Sequence, residues 1–157
     1  MHRFISAFAG LSLSLLLAVC AHAHYDIADL AAFSPDEREA LAGVSITDTE
    51  QFLAATLEAA SRSTLAGQTG LAGDRLRELA GIAELVQVPG IGGQIAQLLV
   101  AAGIASLDEL AAADPDALAE RCAEVNRQQR LAPQPPPSDA LRHWARLARD
   151  VPYRVQD

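Results

Sequence analysis

Lysine is absent from this chain. All twelve basic residues are arginines, set against twenty Asp and Glu for a formal charge of −8, and none lies between Arg77 and Arg121. Nucleic-acid binding draws most of its affinity from Lys and Arg on phosphates, so this composition weighs against DNA or RNA as the main partner. Aromatic residues are only 4% of the chain, and no stretch alternates apolar with polar, which leaves little to build a sheet from. Cysteine occurs at Cys20 and Cys122 alone, with no zinc-type spacing. No nucleophile stands near His24 or His143 in sequence, Ser and Thr mostly sit at cap positions, and the carboxylates are spread along solvated helix faces. These absences predict a protein that is not an enzyme and carries no cofactor and no metal.

What is present begins with a leader. Met1-His2-Arg3 is a short positive region, Phe4 to Val19 is apolar, and Ala21-His22-Ala23 supplies the small-x-small pattern of signal peptidase. The pattern predicts a signal peptide over 1–23 and an exported, periplasmic or secreted mature chain, 24–157, one unit more negative once Arg3 is removed. Two alternatives stand beside cleavage after Ala23. One is a retained anchor, for which the run is slightly short. The other is lipidation at Cys20, where Val19 takes a place that needs a small residue. Cleavage leaves Cys122 alone, as a buried small hydrophobe in a helix. It also exposes an amine and imidazole at His24 of the kind copper takes. The only other mature histidine is His143, and no spacing joins the two, so no metal site is expected.

Ala and Leu dominate the rest, and both favour helix. Caps then mark the boundaries. Ser34-Pro35 opens a first helix, and Asp48 with Gln51 a second, to about Ala60. A short helix is expected over Ser63 to Gln68, and another over Gly73 to Ala80 with a brief turn at Ile82 to Val86. Further helices are expected from Gly93 to Ala102, Leu107 to Ala112 (boxed by Ser106 and Glu109) and Pro115 to Gln128. The last, Asp139 to Arg149, is capped by Ser138 after the Pro133–Pro137 connector. Ile46 to Phe52 overlays Ile104 to Leu110 at a spacing of 58 residues, and the same offset pairs Leu30 with Val88, Phe33 with Ile91 and Leu41 with Leu99. Ala32 and Ser34 then stand where Gly90 and Gly92 stand, so the first copy of this repeat keeps the apolar anchors and lacks the glycines.

Two surfaces are candidate sites. Val88-Pro89-Gly90-Ile91-Gly92-Gly93 reads as the hairpin of a helix-hairpin-helix unit, with positive φ at Gly90 and Gly92, Ile91 as a core plug and Gly93 opening a helix. Backbone N–H groups of Gly90, Gly92 and Gly93 beside a helix start can hold a phosphate. The same turn also serves simply to join two helices. Arg142, Arg146 and Arg149 recur at helical spacing, so they share one face, either to meet an anionic partner or to pair with this chain's own acids.

Several motifs in order resemble the family Domain of unknown function (DUF4332). The likeness runs from Phe52 onward over most of the mature chain, with Ile46 to Leu53 matching the family's first capped helix. Thr69-Gly70-Leu71, Arg75 to Leu85, Val88 to Ile104 and Glu124-Val125-Asn126 match successive elements, and Pro137 to Ala148 matches the tail with Trp144 at its aromatic position. The resemblance implies tandem helix-hairpin-helix units and no particular activity. Members of the family it resembles often carry Arg or Lys beside the hairpin, where this chain has Leu85-Val86-Gln87-Val88.

The expected architecture is therefore all-α: tandem helix-hairpin-helix (SAM-like) units with a docked C-terminal helix. A degenerate first unit spans 24–80, a second 81–130, a Pro-rich connector 131–137 and the C-terminal helix and tail 138–157, all one domain. The expected core is Leu41, Ile46, Phe52, Leu53, Leu57, Leu76, Leu79, Leu85, Val88, Ile91, Ile95, Leu98, Leu99, Ile104, Leu107, Leu110, Leu118, Val125, Leu141 and Trp144. The expected function is an exported binding or scaffolding module with a protein partner and no membrane contact after cleavage. The alternative is weak, sequence-independent DNA binding through Gly90–Gly93. The oligomeric state is left open.

Overall fold

Helix-forming Ala and Leu, punctuated by caps, give eight α-helices in the computed structural model, which describes residues 25–152 and 154–156. The expected leader and His24 lie outside the described residues. The helices are α1 (Pro35–Ala42), α2 (Thr49–Thr56), α3 (Ala59–Thr69), α4 (Gly73–Leu85), α5 (Gly93–Ala101), α6 (Leu107–Ala112), α7 (Pro115–Gln129) and α8 (Ser138–Leu147). Among the described residues there is no strand, only an isolated antiparallel bridge between Asp26 and Asp48. The chain is all-α.

Most starts follow the caps. Ser34 and Glu37 form a reciprocal box, and Asp48, Ser106 and Asp114 each accept an N–H three residues on. Three expectations need correction. Ser138 is not a cap: Pro137 holds that place, and no side chain bonds the first turn of α8. The helix after Asp48 stops at Thr56 and the next starts at Ala59, because side chains take up the carbonyls there. The Thr56 hydroxyl donates to the Phe52 carbonyl at 2.7 Å, and buried Arg62 donates through Nη1 to the Thr56 carbonyl at 2.8 Å. Finally, α4 runs unbroken through Gly81 to Leu85. That glycine is no stop signal. A Cβ there would overlap the Ala105 carbonyl oxygen and lie 3.2 Å from its carbon, so Gly81 lets the turn before α6 press against the helix backbone.

The 58-residue spacing is written into the backbone. Phe33 N–H bonds the Leu30 carbonyl at 3.1 Å, as Ile91 bonds Val88 at 3.0 Å. Ile46 N–H closes on Leu41 at 3.0 Å, as Ile104 closes on Leu99 at 2.9 Å, each across a left-handed residue, Ser45 (φ +62°) and Gly103 (φ +86°). Gln51 accepts from the Thr47 amide at 2.8 Å, and Glu109 from the Ala105 amide at 2.5 Å. Both box closers thus reach one residue upstream of the amide expected, and they do so alike. In each copy a further helix then packs on the second and third of the set: α4 on α2 and α3, and α8 on α6 and α7.

One apolar cluster runs through both copies, from Ile27 to Val155. Phe33 and Phe52 meet edge-to-face within it, with centroids 5.3 Å apart. Leu57, Ile95, Val125 and Trp144 are half-buried at its margin rather than inside it. Ile27, Leu65, Ile82, Val86, Val151 and Val155 belong to it although periodicity did not select them. Cys122 is buried in it, and burial pushes its thiol up to about 11 against the weaker pull of Arg121. After α7, Arg130 turns left-handed at φ +53°. The Asn126 side chain then brackets Ala132, donating to its carbonyl at 2.8 Å and accepting from its amide at 2.9 Å, which aims the proline connector.

Candidate functional site

The hairpin between α4 and α5 is built from the apolar pair Val88 and Ile91, each only 1% exposed, which pin the loop while Pro89 and Gly90 project from it. Its three glycines have different reasons. Gly90 adopts φ +94°, and a Cβ there would sit 2.9 Å from Nε1 of Trp144. Gly93 opens α5 beside the first copy, where a Cβ would meet Cδ2 of Leu30 at 2.8 Å. Gly92 takes an extended φ of −86°, not the positive φ expected, and a Cβ there meets nothing within 4 Å. The tight turn therefore needs one left-handed residue, and Gly92 serves as the N-cap of α5.

The two copies differ most at this point. The start of α1 is closed by Ser34 and Glu37, with Asp36 beside them. At the equivalent places α5 has Gly92, Ile95 and Gln94, so no side chain caps it and no acid lies in its first turn. Its first N–H groups and the positive end of its dipole stay available to an anionic oxygen. Ala32, opposite Gly90 in the repeat, does not adopt a left-handed φ.

Helix α8 brings the second candidate to the same neighbourhood. Leu141, Ala145 and Ala148 are buried, Trp144 rests on Gly90, and Arg142, His143, Arg146 and Arg149 are exposed. The arginines are not equivalent. Arg142 pairs with Asp139 at 2.6 Å and approaches Asp116 of α7 at 3.7 Å. Among the described residues, Arg146 meets only the His143 ring at 3.4 Å, and Arg149, in the turn after α8, only the Ala111 carbonyl at 3.4 Å. Arg146 and Arg149 make no ion pair among the described residues.

Other arginines hold the fold, because a planar guanidinium can satisfy several carbonyls at a turn. Arg38 donates to Leu30, Arg77 to Ala105 and Arg154 to Ala148. Arg75 grips both oxygens of Glu37, at 2.7 and 3.1 Å, and the Ala32 carbonyl at 2.5 Å. This hydrogen bonding draws the Glu37 carboxyl below its usual value although burial opposes it. A cleft of about 420 Å³ opens beside Arg75, between Ala32, Glu78 and Gln97, and touches neither sequence candidate. No sequence pattern marks it, since it forms between the turn before α1, α4, α5 and the end of α7. Among the described residues, no three His, Cys, Asp or Glu gather as metal ligands, and no helix is long and apolar enough to cross a membrane.

No curated protein and no solved structure matches the chain. The family model described as Domain of unknown function (DUF4332) matches residues 31–151, which adds α1 and the turn before it to the stretch from Phe52 onward. With most of its length so matched, the chain belongs to the DUF4332 family.

Proposed function

We propose that the chain is an exported, non-enzymatic binding module of two helix-hairpin-helix units, a single domain after loss of residues 1–23, and that it docks an acidic protein surface on α8. The observation that carries this reading is the state of Arg146 and Arg149. In a chain of net charge −8 these two cations stay exposed and, among the described residues, without an ion pair, Arg146 on the helix that Trp144 anchors to the hairpin and Arg149 in the turn just past its end. Carboxylates of a partner would gain charge-assisted hydrogen bonds there without breaking an existing ion pair. Fluorescence anisotropy of the purified chain with a labelled Asp/Glu-rich peptide tests it, at low and moderate salt. Binding that weakens with salt, and about tenfold or more in the Arg146→Ala/Arg149→Ala double variant, is the expected result. Equal binding by that variant, or none by the parent, refutes the reading.

A second reading rests on the uncapped start of α5. There the hairpin would take a DNA phosphate, weakly and without regard to sequence, against the acidity of the whole. Gly92→Glu adds a carboxylate where a side chain finds open space. Duplex DNA binding that falls steeply with salt and is lost in Gly92→Glu supports this reading. Binding that survives the change removes it.

A further inference from the structure

Glu84, on the last turn of α4, carries a carboxyl group with no exposure to solvent. Its Oε1 accepts the Leu107 amide at the start of α6 at 3.4 Å, while among the described residues no donor comes within hydrogen-bonding geometry of Oε2. In the first copy the equivalent amide, of Thr49, bonds the Tyr25 carbonyl at 3.0 Å, so an acid has taken the place of a backbone acceptor. The segment after α8 lies against this acid. Val151 and Val155 enter the core, and the Val155 amide faces the carboxyl. Arg154 bonds the Ala148 carbonyl at 2.8 Å and Asp108 of α6 at 3.1 Å. Gln156 N–H bonds the Leu57 carbonyl, beyond α2, at 2.7 Å. The segment thus ties α8 to α6 and to the first copy while it seals Glu84.

We propose that Val151 and Arg154 to Gln156, beyond α8, act as a proton-gated strap, which closes over Glu84 in its neutral form and lifts from Glu84 and Leu57 as that carboxyl ionises. Under the strap, burial dominates and pushes Glu84 up to about 7. The groups facing it all favour its charge and are outweighed: the Leu107 amide of α6, the Val155 amide and Arg154 of the strap, and Arg77 of its own helix. Asp108 lies on Arg154, and α8 offers Arg154 the Ala148 carbonyl, with the Arg149 carbonyl just beyond it. With the strap lifted, water reaches the carboxyl and its affinity for a proton falls toward the ordinary 4.5. The closed form therefore holds its proton more tightly. Its advantage is full below the ordinary value, is lost as pH rises through about 7, and is constant above. The opening constant rises by up to about tenfold per pH unit in between.

Amide hydrogen exchange of the full chain by NMR, corrected for intrinsic rates, tests this together with the Glu84 carboxyl shift. We expect protection at the Gln156 amide to fall at least tenfold between pH 5 and 7. It should level off where the carboxyl titrates, while the Leu98 amide in α5 keeps its protection. In Glu84→Gln the Gln156 protection should be flat over that range. The proposal is overturned by flat protection in the parent, by a fall shared with Leu98, by a fall that persists in Glu84→Gln, or by a carboxyl that titrates at its ordinary value. Should Glu84→Gln fail to fold, the parent alone decides. Levelling off at the carboxyl midpoint supports the strap, and levelling elsewhere rejects it.

Discussion

Two helical glycines should respond to alanine with opposite sign. In an exposed helix interior, Gly→Ala is worth up to about 1 kcal/mol of stability through backbone entropy. Gly67 of α3 has open space where a Cβ would stand, so Gly67→Ala should stabilise by about 0.5–1 kcal/mol. At Gly81 the new Cβ would overlap the Ala105 carbonyl oxygen, a backbone atom with no rotamer to escape into. Ala105 is also held in place, since its carbonyl accepts from Arg77 at 3.2 Å and its amide donates to Glu109 at 2.5 Å. Moving it would drag the start of α6 and the Leu107–Glu84 bond with it. Overpacking against such a wall costs typically about 1–3 kcal/mol, and the propensity gain offsets about 1 of that. Gly81→Ala should therefore destabilise by up to about 2 kcal/mol, and the two variants should differ by about 2. Urea unfolding followed by far-ultraviolet circular dichroism measures both, and thermal midpoints should separate by several degrees. Stabilisation by Gly81→Ala, or equal shifts in both, would refute the close approach of α4 to the Ala105 turn.

Ser45 and Gly103 occupy the same left-handed place in the two copies, at φ +62° and +86°. An L-residue there costs about 1–2 kcal/mol, so Ser45→Gly should stabilise by up to about 1 kcal/mol and Gly103→Ser destabilise by about the same in urea unfolding. A Ser45→Gly chain less stable than its parent would show that the serine carries an unrecognised contact. For Cys122, burial and the raised thiol predict slow modification by Ellman's reagent at pH 8 in a Cys20→Ser chain, at least about a hundredfold slower than in urea. Comparable rates in the two conditions would place the thiol at the surface.

The sequence by itself determined the helices and the repeat. Caps act within one turn, so Ser34, Asp48, Ser106 and Asp114 name their helix starts without help from the rest of the chain. The 58-residue echo was legible because it lies in apolar anchors such as Phe33 and Ile91, whose spacing any reading of the chain preserves. The Gly90 turn was legible for the same local reason, since a left-handed residue favours glycine wherever it occurs. Only the tertiary structure decided what depends on a distant neighbour. Gly81 resembles a helix stop until Ala105 is seen against it, and Gly93 shows its need for a missing Cβ only when Leu30 is found beside it. Arg142, Arg146 and Arg149 form one stripe in sequence, yet the helix ends at Leu147, and Asp116 from α7 approaches Arg142 while no acid among the described residues pairs with the other two. Glu84 reads as one more solvated carboxylate until the segment after α8 is found against it. A residue's propensity and cap are set by bonds to near neighbours, whereas burial, close approach and pairing are set by residues far along the chain, and only folding brings those together.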